Sequence, residues 1–126
     1  MAEIPAASKA GAKLEPVQYT PRSIPGKASN PRFQDQTCQG VRVHIQERRR
    51  IRPFLLAAAM ISAVCRVHPR EFGFREDGWF TTLAGAPGLR KAIEDGADLV
   101  EWTQALEQQH AAYREKMPLL YEPQET

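Results

Sequence analysis

The clearest alternation of apolar and polar positions along the chain is Cys38-Gln39-Gly40-Val41-Arg42-Val43-His44-Ile45-Gln46. Side chains of a strand point to opposite faces in turn, so Val41, Val43 and Ile45 define an apolar face and Arg42, His44 and Gln46 a polar one. Glu47-Arg48-Arg49-Arg50 breaks the alternation, and the period then changes. Leu56, Met60, Ala63, Val64 and Val67 recur at helical spacing, and Leu55, Ala57, Ala58 and Ala59 make this segment apolar almost all round, which predicts a central helix over Pro53–Val67. Pro53 suits a first helical turn, where its missing N–H costs nothing, and the helix must stop near His68-Pro69 because the residue before proline avoids the α region.

Farther on, Phe72, Phe74, Trp79 and Phe80 cluster around Gly73 and Gly78 and are expected to plug the core. Leu89 to Glu94 reads as a short helix with Gly96 just past its end. Asp98 followed by Glu101 resembles a capping box and starts the last helix, Asp98–Met117, whose stripe is Leu99, Trp102, Leu106, Gln109, Tyr113 and Met117. Pro118 ends it before an extended Leu119-Leu120-Tyr121. At the other terminus, residues 1–13 are rich in Ala, Lys and Gly without periodicity and read as a flexible tail. Val17-Gln18-Tyr19 is a short strand candidate, and Pro21 to Asp35, with three prolines and Gly26, reads as a long loop of the kind that often carries function.

These elements predict an α+β domain: a small sheet containing Cys38–Gln46, packed against two main helices and one short helix. The expected organisation is a tail at 1–13, a single domain at 14–122 and a frayed end at 123–126. A chain of 126 residues is one-domain sized. Its 17 basic and 15 acidic residues nearly cancel, so the overall field gives no reason to expect nucleic acid or a membrane as partner. Two cysteines, Cys38 and Cys65, make no disulfide framework and are read as free thiols, with a bridge open if the chain is exported. The first residues lack the apolar stretch of a secretory signal, and Phe54 to Val64 is about half of what spanning a bilayer takes. As written, the chain reads as cytoplasmic.

The chain contains no P-loop, GxSxG, HExxH or GxGxxG motif, and no cofactor or metal site is expected. His44 lies on the polar strand face, His68 at a helix end and His110 on the polar side of the last helix. The run Arg48, Arg49, Arg50 and Arg52 invites a nucleic-acid reading, which predicts affinity falling steeply with salt. No aromatic side chain is interleaved with it as single-strand binders require, and a solvated turn accounts for it. Glu76 and Asp77 offer half of a carboxylate pair, but glycoside hydrolysis needs two carboxyls flanking a cleft and no second one is identified.

Taken in order, Tyr19-Thr20-Pro21-Arg22-Ser23-Ile24-Pro25-Gly26, Asn30-Pro31, Cys38 to Ile45, Arg52-Pro53, the His68-Pro69-x-x-Phe72 step, Leu83-Ala84-Gly85 with Leu89-Arg90, Ile93-Glu94-x-Gly96 and Leu119-Leu120-Tyr121 resemble the C-terminal domain of exo-β-N-acetylmuramidases of the NamZ type. The resemblance covers about residues 14–122. It implies an enzyme that removes terminal N-acetylmuramic acid from peptidoglycan fragments, often exported, with its catalytic groups in a preceding Rossmann-like domain and the smaller domain walling the cleft. It also implies that the partners are a Rossmann-like catalytic domain or subunit and muramic-acid sugars, and that these residues alone are inactive. The family usually has Thr-Asp-Arg where this chain has Gln46-Glu47-Arg48, and an Asp near Thr81, so no catalytic residue is carried over. Arg22, Asn30 and His44 are the candidate sugar contacts. The rival reading is a stand-alone protein-interaction module, which requires an exposed apolar patch.

Overall fold

A computed structural model describes residues 4–117. The fold is α+β, with a two-stranded antiparallel sheet and four helices among the described residues. The chain divides into two compact units, 1–52 and 53–126.

The first unit is a long hairpin. Strand β1 spans Ala12–Tyr19 and β2 spans Cys38–Ile45, paired in a register that sets Ala12 opposite Ile45 and Tyr19 opposite Cys38. The strand expected at Val17–Tyr19 thus extends back to Ala12, and a 3-10 turn occupies Ala6–Lys9 inside the stretch whose composition suggested a tail. Lys13, Glu15 and Pro16 obscure any apolar alternation in β1. Its extended conformation is fixed by the backbone partners that β2 supplies. Val41, Val43 and Ile45, the apolar face of β2, are exposed. Their alternation reports the pleat correctly, but two strands cannot enclose their own face.

Gly11 closes the base of the hairpin. At φ +77 its carbonyl accepts the N–H groups of Gln46 and Glu47 (2.9 and 3.1 Å), and a side chain there would meet the Glu47 carbonyl oxygen at 2.6 Å and the Ile51 nitrogen at 2.8 Å. The arginine run is a turn: the Arg50 and Ile51 N–H groups bond to the Glu47 carbonyl, and the Arg50 guanidinium holds the Glu47 carboxylate at 2.9 Å. At the other end, the Tyr19 ring lies beside Gly40, where an added Cβ would sit 3.0 Å from Cε1. An aromatic ring here covers backbone that a strand glycine leaves bare.

The second unit holds the helical core. Helix α1 is Pro53–Val67, α2 Trp79–Ala84, α3 Leu89–Glu94 and α4 Leu99–Lys116. Leu55, Leu56, Ala58, Ala59 and Ala63 of α1 are buried, together with Ala86, Leu89, Ala92, Ile93 and Leu99. Both α3 and α4 pack on α1, as its apolar character implied. Val64 and Val67 are nevertheless exposed, so the helix is not enclosed all round. Gly96 ends α3 as expected: its N–H bonds to the Ile93 carbonyl and that of Ala97 to the Ala92 carbonyl, the paired bonds of a Schellman ending. Asp98 caps α4, its carboxylate accepting the N–H groups of Val100 and Glu101 at 2.8 and 3.2 Å.

The stripe expected along α4 is only partly buried. Leu99 and Thr103 are inside and Trp102 and Leu106 half-buried, whereas Tyr113 and Met117 are exposed. Thr103, which the apolar pattern passed over, turns its hydroxyl back onto the Leu99 and Val100 carbonyls and so enters the core without an unpaired donor. The aromatic cluster is real for Phe72, Phe74 and Phe80, whose rings pack edge-on and tilted, but Trp79 stands outside it, 56% exposed. The extended Leu119–Tyr121 and the frayed end at 123–126 lie outside the described residues.

Candidate functional site

The polar face of the hairpin carries Lys13 and Glu15 from β1 and Arg42 and His44 from β2. Glu15 stands directly opposite Arg42, and His44 is its diagonal neighbour, with Nε2 donating to Glu15 Oε2 at 2.6 Å. The His44 bond holds the Glu15 carboxyl below the usual carboxylate range against the opposing effect of desolvation, with the charges of His44, Arg42 and Lys13 acting in the same direction as the bond. The histidine is therefore anchored to a structural carboxylate, with its ring at the surface.

The connection between the strands is tied shut at its root, where the Asp35 N–H bonds to the Pro21 carbonyl at 2.9 Å. Within it, Ile24 and Ala28 pair across a tight turn at Gly26. Asn30, Phe33 and Asp35 all take positive φ, 54°, 59° and 59°. Asn accepts that region through its short polar side chain, but a bulky Phe there is strained. Phe33 lies 56% exposed, with the Arg32 guanidinium 5.6 Å from its ring centre. Backbone held in such a region is a mark of segments shaped for recognition.

Arg22 and Asn30 are both exposed on this connection. His44 lies near the base of the hairpin, opposite Lys13, six positions along β2 from Cys38 where the connection ends. That separation is about 20 Å along a strand. The three candidate contacts therefore lie on two elements: Arg22 and Asn30 on the connection, and His44 on the polar face of β2.

In the second unit, Arg90 organises the segment before α2. Its Nε donates to Glu94 at 2.8 Å, one Nη reaches the Arg75 carbonyl at 3.4 Å, the other lies 3.6 Å from Glu76, and the guanidinium sits 5.4 Å from the Phe74 ring centre. Asp77 pairs with Arg75 at 2.6 Å and accepts the Trp79 N–H at 3.1 Å, starting α2. Glu76 and Asp77, read from sequence as half of a carboxylate pair, thus serve as structural partners. Phe54, Ala57, Ala58, Ile61, Phe80 and Leu83 line most of an open apolar depression of about 320 Å³. Leu83 and Phe54 at its rim are 68% and 38% exposed. Sequence reading missed this surface because its residues come from three separate segments.

Both cysteines are free thiols, and burial pushes the Cys65 thiol up, which keeps it protonated and unreactive. Among the described residues, no group of three His, Cys, Asp or Glu side chains is placed to hold a metal ion, and no helix is long and apolar enough to cross a membrane.

The family model of the C-terminal domain of the exo-β-N-acetylmuramidase NamZ matches residues 1–121. The chain belongs to this family. No curated relative and no solved structure matches it. Membership links the chain to glycosidases acting on peptidoglycan, and a NamZ C-terminal domain implies a separate catalytic domain. The match spans residues of both compact units.

Proposed function

We propose that this chain serves as the auxiliary, cleft-walling domain of an exo-β-N-acetylmuramidase, with catalysis supplied by a Rossmann-like domain or subunit. The family match over residues 1–121 carries the reading. The carboxylates found in defined roles agree with it: Glu15 holds His44, Glu47 holds Arg50, Glu94 holds Arg90, Asp77 starts α2 and Asp98 caps α4. Retaining and inverting glycosidases both need two carboxyls on either side of the scissile bond, and these are committed elsewhere.

On this reading the strained connection carrying Arg22 and Asn30 lies along the sugar cleft, and the apolar depression rimmed by Phe54 and Leu83 faces the catalytic domain. The substrate is a muramic-acid sugar from peptidoglycan. The purified chain should release no N-acetylmuramic acid from a chromogenic muramide, whereas a NamZ-type catalytic domain mixed with it should gain activity. Turnover by the chain alone overturns the proposal.

The exposed depression equally suits a protein-interaction module without an enzymatic role. The same mixing experiment separates the two, since an interaction module leaves the rate of the catalytic domain unchanged.

A further inference from the structure

The bond from the Gln46 N–H to the Gly11 carbonyl fixes the phase of the hairpin ladder. It makes Ala12 and Ile45 a non-hydrogen-bonded pair, and the alternation then continues through Leu14 with Val43, Pro16 with Val41 and Gln18 with Gln39. Pro16 gives the same phase independently, because a residue without an N–H belongs where that group would point away from the partner strand. The N–H and C=O groups of Gln39, Val41, Val43 and Ile45 therefore project from the outer edge of β2. Among the described residues no third strand pairs with that edge.

The two outer edges differ. On β1, Pro16 removes a donor from the middle of the edge, which is one way proteins prevent unwanted strand pairing. On β2 nothing among the described residues blunts the edge, and its outward-bonding positions carry the β-branched Val41, Val43 and Ile45, 42%, 38% and 59% exposed. Above the opposite face, Lys13, Arg42 and His44 share Glu15 as the one carboxylate on the strands of that face. The edge thus offers a free backbone ladder, an apolar side and a side with excess cationic character.

We infer that the outer edge of β2 is a strand-docking site for an extended segment of another polypeptide that alternates apolar with acidic side chains. Main-chain hydrogen bonds to Gln39, Val41, Val43 and Ile45 supply the affinity of such an addition, and alternate side chains supply its selectivity. The apolar residues of the incoming strand lie beside Val41 and Val43, and its acidic residues beside Arg42 and His44. A second copy of this chain fits less well. Antiparallel self-pairing centred on Arg42, the register that pairs all four outward-bonding residues, sets Arg42 opposite Arg42 of the copy, and like charges placed so are destabilising. The site does not depend on whether the partner is a catalytic domain.

The test uses the full chain and a capped synthetic peptide of alternating Val and Glu, about eight residues long, the usual reach of a strand. On titration, amide exchange should slow roughly tenfold at Gln39, Val41, Val43 and Ile45, while Gly40, Arg42 and His44, already bonded to β1, change little. Val43→Pro deletes an outward N–H and no ladder bond, so it should abolish peptide binding, whereas Gln18→Pro on the opposite edge should leave it intact. Arg42→Gln keeps every backbone donor and should weaken the Val–Glu peptide toward the affinity of a Val–Lys peptide. The inference is overturned by absence of binding, by equal binding of the two peptides to the unaltered chain, by undiminished binding to Val43→Pro, or by sedimentation showing a dimer that protects these same amides.

Discussion

Glu15 and His44 are diagonal neighbours across the hairpin, with the imidazole Nε2 donating to the carboxylate at 2.6 Å. The carboxyl is held below its ordinary range in the folded chain, so the folded state binds a proton there less readily than the unfolded chain does. The resulting stabilisation is present above the ordinary carboxylate range and is lost as pH falls through the lowered value. Carbon-detected titration should give Glu15 a midpoint below that of a free glutamate, and His44→Ala should return it upward. Both groups are exposed, so the change in unfolding midpoint should be small.

Gly11 and Gly26 both take positive φ, +77 and +74, but only Gly11 is crowded. Gly26→Ala should cost about 1 kcal/mol from backbone strain. Gly11→Ala adds a collision with the Glu47 carbonyl and the Ile51 nitrogen, and should cost clearly more. Urea unfolding of the two variants gives the comparison, and faster exchange of the Gln46 and Glu47 amides in Gly11→Ala identifies the cause.

Asp98→Ala removes the acceptor for two N–H groups at the start of α4 and should lower stability by about 1 kcal/mol. Asp98→Asn keeps an acceptor and should recover most of the loss. Circular dichroism melting of the three proteins is sufficient.

Leu55 is 1% exposed at the heart of the α1 packing. Leu55→Ala leaves a cavity as well as losing apolar burial and should cost about 3 kcal/mol. A Leu83→Ala control, at a side chain 68% exposed, should stay within about 0.5 kcal/mol in the same denaturant series.

Local rules were enough for several features. Pro53 and His68-Pro69 bracket α1, Gly96 ends α3 and Asp98 starts α4, because caps and prolines act within one helical turn. The alternation at Val41, Val43 and Ile45 reported the pleat of β2 for the same reason. The family was legible in ordered motifs from Tyr19 to Tyr121, whereas the candidate contacts were not located by them: nothing local says that His44 stands about 20 Å of strand away from the connection bearing Arg22 and Asn30.

The sequence by itself therefore determined the boundaries of α1, α3 and α4, the two faces of β2 and the α+β class, all of which depend on neighbours a few residues apart. It indicated no helix at Trp79–Ala84, which reads only as part of an aromatic cluster. Only the tertiary structure decided that β1 reaches back to Ala12, because its backbone partners lie some thirty positions away and its own residues show no alternation. Only it decided which faces are covered. Periodicity aligns Tyr113 and Met117 with Leu99 along α4, but burial requires an element on the other side, and among the described residues the second half of α4 has outrun its neighbours. The crowding at Gly11, the strain at Phe33 and the open edge of β2 are likewise set by contacts, or their lack, between residues distant in sequence.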